Sequence, residues 1–189
     1  YLKIKKILSK SKRHNMKVFL TGRIQCGKST CIKQLIEECS LAVCGFQTLP
    51  FYEQGIRLGF YMHALWENPY NDVRFSIQHP TYNEVIPQVF DQFGVAVLQH
   101  ARQFLIENQQ QKPVLIVDEI GRLEQQEKAY LKLLQDSIAK AQNVLGVLKK
   151  CEVQYIQAIS AREDVQVFDL DVMSYDEVYN KVLALLKSR

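Results

Sequence analysis

Residues 17–29, Lys17-Val18-Phe19-Leu20-Thr21-Gly22-Arg23-Ile24-Gln25-Cys26-Gly27-Lys28-Ser29, run from a short apolar stretch into a loop that fits G-x-x-x-x-G-K-[ST]. The flanks suit that pattern. Lys17 to Thr21 reads as a buried strand. Lys28 to about Ser40 reads as a helix with Cys31, Ile32, Leu35 and Ile36 on one face. A strand, a glycine-bounded loop and a helix in that order make a phosphate cradle. Glycine lets the backbone approach an anion, and the helix start turns unpaired N–H groups and a positive dipole end towards it. Lys28 is expected to reach the β- and γ-phosphates of a nucleotide, and Ser29 to place its hydroxyl on Mg²⁺.

A second segment completes the reading. Val114-Leu115-Ile116-Val117-Asp118-Glu119 is a run of apolar residues ending in two carboxylates. Strand C-terminal ends line the ligand crevice of a doubly wound sheet. Asp118 is expected there as the Mg²⁺-side acid, acting through a coordinated water. Glu119, beside it, is expected to take a proton from an attacking water. An adjacent Asp-Glu pair favours hydrolysis over transfer to a second substrate.

The rest of the chain alternates in the same way. Strands are predicted at Ala42 to Leu49, Ile56 to Ala64, Pro113 to Asp118, Val144 to Leu148 and Val165 to Leu170. Helices are predicted from about Pro87 to Gln109, Glu124 to Ala141, Glu152 to about Ala161 and Tyr175 to Lys187. In the first of these helices Ile86, Phe90, Phe93, Val97, Ala101 and Phe104 form one stripe. Residues 50–55 read as a turn between two strands, giving a hairpin, and residues 65–82, broken by Pro69 and Pro80, as irregular. Apolar strands separated by helices imply an α/β fold: a mostly parallel sheet in three layers, with helices on both faces and a β-hairpin insertion.

Composition bounds the partners. Apolar residues at 47% and charged residues at 23% exclude a disordered or fibrous chain. No stretch approaches the roughly 20 apolar residues of a membrane span, so no membrane partner is expected. The five cysteines, Cys26, Cys31, Cys39, Cys44 and Cys151, have no metal-ligand spacing and read as reduced thiols in a cytoplasm. The net charge of +4 is carried by the first 15 residues, which hold six basic side chains and no acid. The other residues hold 18 basic and 20 acidic side chains, a balance that argues against a nucleic-acid partner. Residues 1–15 read as a basic extension, disordered or non-native, with Met16 near a natural start; the alternative is a polybasic arm for nucleic acid or anionic lipid. Residues 16–189 read as a single domain, with a monomer favoured.

With these residues in hand the chain resembles the THEP1-type nucleoside-triphosphatase family. The resemblance rests on K-V-F-L-T-G-x₄-G-K-S-T at Lys17 to Thr30 and V-D-E-I-G-R-L-E at 117–124. Gly45-Phe46, Arg57-Leu58-Gly59-Phe60 and the closing Asp164 to Leu170 add to it. It implies a RecA-like P-loop NTPase fold with an additional strand and a catalytic glutamate. It also implies slow, Mg²⁺-dependent hydrolysis of several nucleoside triphosphates to diphosphate and phosphate. By motif position, nucleotide binding falls on Gly22, Arg23, Ile24, Gln25, Cys26, Gly27, Lys28, Ser29 and Thr30, catalysis on Lys28 and Glu119, and the metal on Ser29 and Asp118.

Two departures stand out. Arg23, Ile24 and Gln25 replace residues that are commonly Pro, Pro and Gly, so a positive φ at Gln25 would be strained. Leu148-Lys149-Lys150 stands where the family often has His or Arg. Arg57, on the hairpin, is a candidate for nucleotide contact. Arg162, after a helix, is a candidate arginine finger, with a solvated helix-end charge as the alternative. Nine of the 19 aromatics lie between Phe46 and Tyr82; they read first as packing for the hairpin, and second as a stacking surface for a base. A P-loop kinase with residues 50–82 as acceptor lid, or a nucleotide-dependent switch with negligible turnover, are the competing functions. The scarcity of arginine in that stretch opposes the first, and Glu119 opposes the second.

Overall fold

The computed structural model describes residues 15–189, so the expected basic extension lies outside the described residues but for Asn15. In chain order the elements are β1 (Met16–Thr21), α1 (Lys28–Glu38), β2 (Val43–Glu53), β3 (Ile56–Ala64), β4 (Asp72–Gln78), β5 (Asn83–Val85), α2 (Val95–Glu107), β6 (Val114–Ile120), α3 (Lys128–Lys140), β7 (Asn143–Leu148), α4 (Gln154–Ser160), β8 (Gln166–Asp169) and α5 (Tyr175–Lys187). All eight strands form one sheet in the order β5-β4-β3-β2-β6-β7-β1-β8. The five strands from β2 to β8 in that order are parallel, and β3, β4 and β5 extend the sheet antiparallel.

Alternation along the parallel strands feeds two cores. Val18, Leu20, Ile116 and Leu145 pack with Cys31, Leu35, Val178 and Val182, against α1 and α5. Phe19, Leu115, Val117 and Val144 pack with Leu98, Ala101, Leu134 and Ile156, against α2, α3 and α4. A strand covered on both faces has apolar residues at every position, which is why these read as continuous runs.

The hairpin extends further than its sequence suggests. β2 continues through Pro50 to Glu53, and the reversal is confined to Gln54 and Gly55, with φ of 49° and 81°. Positive φ at both residues belongs to the two-residue turn whose twist matches the paired strands. Beyond Phe46, β2 has lost its β6 neighbour, and proline is tolerated where one side of a strand is free. The segment expected to be irregular, residues 65–82, contains β4, and β5 follows directly after it. Val73, Phe75 and Ile77 alternate with polar residues, and Phe75 is buried against Phe60 and Phe90. The prolines bound this strand rather than break it. Phe46, Phe60, Phe75, Phe90 and Tyr130 form a linked aromatic series, so Phe46, Phe60 and Phe75 of that cluster serve packing, as does Trp66 against Phe93, while Tyr52, Tyr70 and Tyr82 are exposed.

Two helix starts differ from expectation. Phe90–Gly94 forms a wider π turn before α2, and a Cβ on Gly94 would lie 2.8 Å from the Tyr130 ring. The absent side chain lets α3 approach closely there. α3 begins at Lys128 rather than Glu124, because Glu124 is buried and folded back onto the preceding turn.

The sheet order sets the site. β7 lies between β1, which leads into the phosphate loop, and β6, which ends in the acids. The Thr21 hydroxyl donates to the Leu148 carbonyl at 2.9 Å, and the Lys149 N–H donates to the Ile120 carbonyl at 2.8 Å. These bonds bring the ends of three parallel strands to one edge.

Candidate active site

The loop between β1 and α1 has the backbone its glycines predict. Gly27 has φ of 94° and stands at the start of α1, where no side chain caps the first amides and no acidic residue lies in the first turn. Those N–H groups are left for an anion. A Cβ on Gly27 would also meet the Tyr175 ring at 3.1 Å, so conformation and space both require glycine. Gln25 does take the left-handed conformation, at φ of 63°, where glycine is absent. Arg23 and Ile24 are exposed on the outer limb, Ile24 with 76% of its surface.

That limb is tethered by Asp171, a residue with no signal in the sequence. The Arg23 N–H donates to both carboxylate oxygens of Asp171, at 3.0 and 3.1 Å, and Lys150 bridges Asp169 and Asp171 at 2.7 and 2.6 Å. The Arg23 amide and the Lys150 ammonium hold the Asp171 carboxyl below its ordinary range. Inside the loop the Lys28 ammonium donates to the Gly22 and Arg23 carbonyls at 3.0 and 2.6 Å, and lies 3.4 Å from Cys26 Sγ. Cys26 is half-buried at that point. Mg²⁺–nucleotide is therefore expected to slow its reaction with thiol reagents, with half-buried Cys39 and Cys151 as internal references. Equal labelling of Cys26 with and without saturating nucleotide, mapped by mass spectrometry, would count against phosphate in this loop.

The two acids depend on a defect in β6. Adjacent strand residues normally face opposite sides of a sheet. Between Val117↔Gly146 and Ile120↔Leu148, β6 carries one residue more than β7, and Glu119 has φ of 67°. This bulge re-aims the side chains. Asp118 is buried and accepts from the Ser29 hydroxyl at 3.1 Å, while Glu119 opens into the cleft over the loop. The Thr48 hydroxyl holds the Asp118 carbonyl at 2.9 Å from the neighbouring β2.

Burial, with the Glu119 charge alongside, pushes the Asp118 carboxyl up to about 7, against the pull of Ser29, Thr48 and Lys28. The site is thus short of positive charge where a hydroxyl and a carboxylate meet. These are hard oxygen donors of the kind Mg²⁺ takes, and it normally completes its shell with water and substrate phosphate. Ser29 and Asp118 would hold the ion; when bound it would supply charge neutralisation for phosphate oxygens.

The cleft has a volume of about 440 Å³. Lys28, Ser29 and Thr30 line one wall, and Leu49, Pro50, Arg57 and Phe60 of the hairpin line the facing one. Arg57 is thus brought to the site. Its guanidinium donates to Gln78 Oε1 at 2.6 Å and lies 5.2 Å from the Phe60 ring centroid. Arg162 is not. It binds Asp164 through two nitrogens at 2.9 Å, and Asp164 also accepts from Lys17 at the beginning of β1. That is the opposite edge of the sheet from the loop, so Arg162 cannot serve as a finger within its own chain.

Glu124, quoted in the sequence motif but read only as helix, has a distinct place. It is 4% exposed, and Oε1 accepts from the Gly121 N–H at 2.8 Å. The Tyr155 hydroxyl donates to the Gly121 carbonyl, so the turn after Glu119 is held from both sides. Burial pushes the Glu124 carboxyl up from 4.5 to about 7. The folded state therefore binds an extra proton between those values, and stability falls as pH rises across them. Glu124→Gln keeps the acceptor and removes the charge. It is expected to match the wild type near pH 4 and to exceed it above pH 7, by up to about 3 kcal/mol. Urea melts at the two pH values check this; a difference independent of pH would refute a buried charge.

The comparisons agree with this geometry. The NTPase family model matches residues 17–183. The chain belongs to the NTPase family. It is similar to nucleoside-triphosphatase THEP1 of Thermotoga sp. (strain RQ2), 27% identical over 183 residues that cover 91% of this chain and 96% of that one. Among solved structures it resembles THEP1 from Aquifex aeolicus, with a TM-score of 0.72 and 23% identity over 90% of this chain and 99% of that one. It also resembles a human cancer-related nucleoside triphosphatase, with a TM-score of 0.70 and 22% identity over 92% of this chain and 98% of that one. The family's α/β sheet is the fold described above, with β3 to β5 as an antiparallel extension of it. No helix among the described residues is long and apolar enough to cross a membrane.

Proposed function

We propose that this member of the family hydrolyses nucleoside 5′-triphosphates, ATP and GTP among them, to the diphosphate and phosphate, with Mg²⁺ and with broad base tolerance. The observation that carries the reading is Glu119 at the bulged end of β6, opening into the same cleft as Lys28, Ser29 and Thr30. The names of the relatives describe those proteins as nucleoside triphosphatases.

In this mechanism the loop amides of Gly22 to Thr30 and the start of α1 bind the phosphates. Lys28 leaves the Gly22 and Arg23 carbonyls and bridges the β- and γ-phosphates. Ser29 and Asp118 would hold the metal that accompanies the nucleotide. Glu119 orients a water and takes its proton as the water oxygen attacks the γ-phosphorus. The apolar wall of Leu49, Pro50 and Phe60 supports base tolerance, because it offers contact without hydrogen bonds that would read a base edge. All these groups come from one chain, which supports action as a monomer. The five free cysteines support a reducing cytoplasm.

The test is phosphate release from ATP, GTP, CTP and UTP with no acceptor present, with Mg²⁺ and with chelator. Release from several triphosphates in Mg²⁺ alone is expected. Phosphate transfer only when a second substrate is supplied would make the protein a phosphotransferase, and binding without turnover would make it a switch.

A further inference from the structure

A second pocket opens at the other edge of the sheet. Pro113 and Asn143 stand at the starts of β6 and β7, whose far ends reach the phosphate-loop cleft. A pocket lined by them is therefore a full strand's length from that cleft. Its volume is about 280 Å³, just under the roughly 300–1,000 Å³ of ligand sites. Two helices supply its walls. On α2, Arg102, Leu105 and Ile106 stand at i, i+3 and i+4, so they share one face. On α3, Ser137 and Lys140 stand three apart, with Ala141 at the helix end.

The lining is one-sided in charge. It holds three cations, Arg102, Lys112 and Lys140, and no acid. The Lys112 ammonium is engaged, donating to the Arg189 carbonyl at 2.7 Å. Among the described residues neither Arg102 nor Lys140 has a hydrogen bond or an ion pair, and Glu107 of the same helix is taken by Gln103. Arg102 is half-buried, so a fork of five N–H donors is partly withdrawn from water with nothing to meet it. Beside it Ile106 leaves 62% of its surface exposed. Unanswered charge and uncovered apolar surface thus lie in one concavity. We propose that this pocket binds a small amphiphilic anion: a carboxylate or phosphate monoester on a compact apolar body.

The parts of such a molecule have separate places. The Arg102 guanidinium offers two parallel N–H donors to the anionic head. Lys140, exposed on a flexible stem, reaches the same head as a point charge. The body lies on Leu105, Ile106, Pro113 and Ala141. The neutral polar groups of the lining are already committed. The Ser137 hydroxyl donates to the Leu133 carbonyl at 2.7 Å, and the Asn143 amide to the Lys112 and Pro113 carbonyls at 3.3 and 3.4 Å. Recognition of the head therefore falls on the two cations, and an uncharged molecule of the same shape gains apolar contact alone. The site makes no use of the phosphate loop or of the acids of β6.

The test titrates 2-naphthoate and 2-naphthyl phosphate into the full chain by calorimetry, with 2-naphthamide as the uncharged match. Saturable binding of at least one anion, with a Kd of about 1 mM or tighter, is expected, and the amide should bind at least about tenfold more weakly. The tighter of the two anions assigns the head group. The double variant Arg102→Gln with Lys140→Gln is expected to weaken that anion about tenfold or more. Its melting temperature should hold, because neither side chain has a partner to lose. Ile106→Asp, at an exposed position, should weaken the anion as well while leaving both cations in place, and it decides the matter if the double variant misfolds. Lys28→Ala should leave the affinity unchanged. No saturable binding, equal binding of the amide, or wild-type affinity in the double variant overturns the proposal. So does binding lost in Lys28→Ala, which would put the probe in the phosphate-loop cleft. Sedimentation of the same samples covers the remaining occupant: a wild-type dimer that the double variant dissociates would make this face an interface between copies, and the small-molecule site would be refuted.

Discussion

Glu119→Gln is expected to lower turnover by about 10²–10⁴-fold, the range of a lost general base, while triphosphate binding stays the same or tightens. The substitution keeps the length and hydrogen-bonding capacity of the side chain, so water can still be positioned but not deprotonated. The backbone at this position is left-handed, at φ of 67°, which glutamine meets as glutamate does, as Gln25 shows at φ of 63°. Stability should change little, since Glu119 is partly exposed. Binding is preserved because Asp118, Ser29 and Lys28 are untouched. It tightens if anything, because a negative charge beside the phosphates is gone. Asp118→Asn should fail differently. Its carboxylate is buried against the Ser29 hydroxyl, so its loss is expected to weaken Mg²⁺-dependent nucleotide affinity itself. Single-turnover rates and analogue binding for the two variants test the pair. Hydrolysis at the wild-type rate by Glu119→Gln would falsify the assignment of the base.

Lys28→Ala is expected to reduce turnover by more than about 10²-fold and to weaken triphosphate binding as well. Here one charge serves ground state and transition state together. The ammonium donates to the Gly22 and Arg23 carbonyls within its own loop, bonds that phosphate oxygens would replace. Alanine removes that compensation and leaves the β- and γ-phosphates facing loop amides alone. The loop should keep its course, because Asp171 pins the Arg23 amide and glycine sets the backbone at Gly27. The melting temperature should therefore move little. Near-normal phosphate release by Lys28→Ala, with an unchanged melting temperature, would show that the loop does not bind the transferred phosphate.

The sequence carried the site unevenly. Gly22, Gly27, Lys28 and Ser29 were legible because their chemistry is local: a loop's course and a helix start depend on residues close in sequence. Asp118 and Glu119 were legible as a pair at a strand end. That both serve one cleft was expected, but the means was not legible: neighbouring strand residues should diverge, and only the extra residue opposite β7 brings them together. Arg57 read as a candidate nucleotide contact and Arg162 as a candidate finger. The hairpin reaches the cleft and the β8 approach does not, a difference that lies in where each strand enters the sheet. Asp171 had no signal at all, because an exposed acid in a turn acquires meaning only from the amide it meets.

What the sequence determined by itself was the alternation of apolar strands and helices and the phosphate loop between β1 and α1. Both arise from periodicity and glycine placement over a few residues. It also set the identity of every group that does chemistry. The tertiary structure decided which of those groups meet. It inserted β7 between the loop strand and the acid strand, ran β3 to β5 onto the same sheet, and folded Glu124 beneath the turn after Glu119. It set Lys149 against Glu119 and sent Arg162 to the far edge. The reason is physical: strand neighbours are chosen by packing across the whole sheet, over separations that no local pattern of residues records.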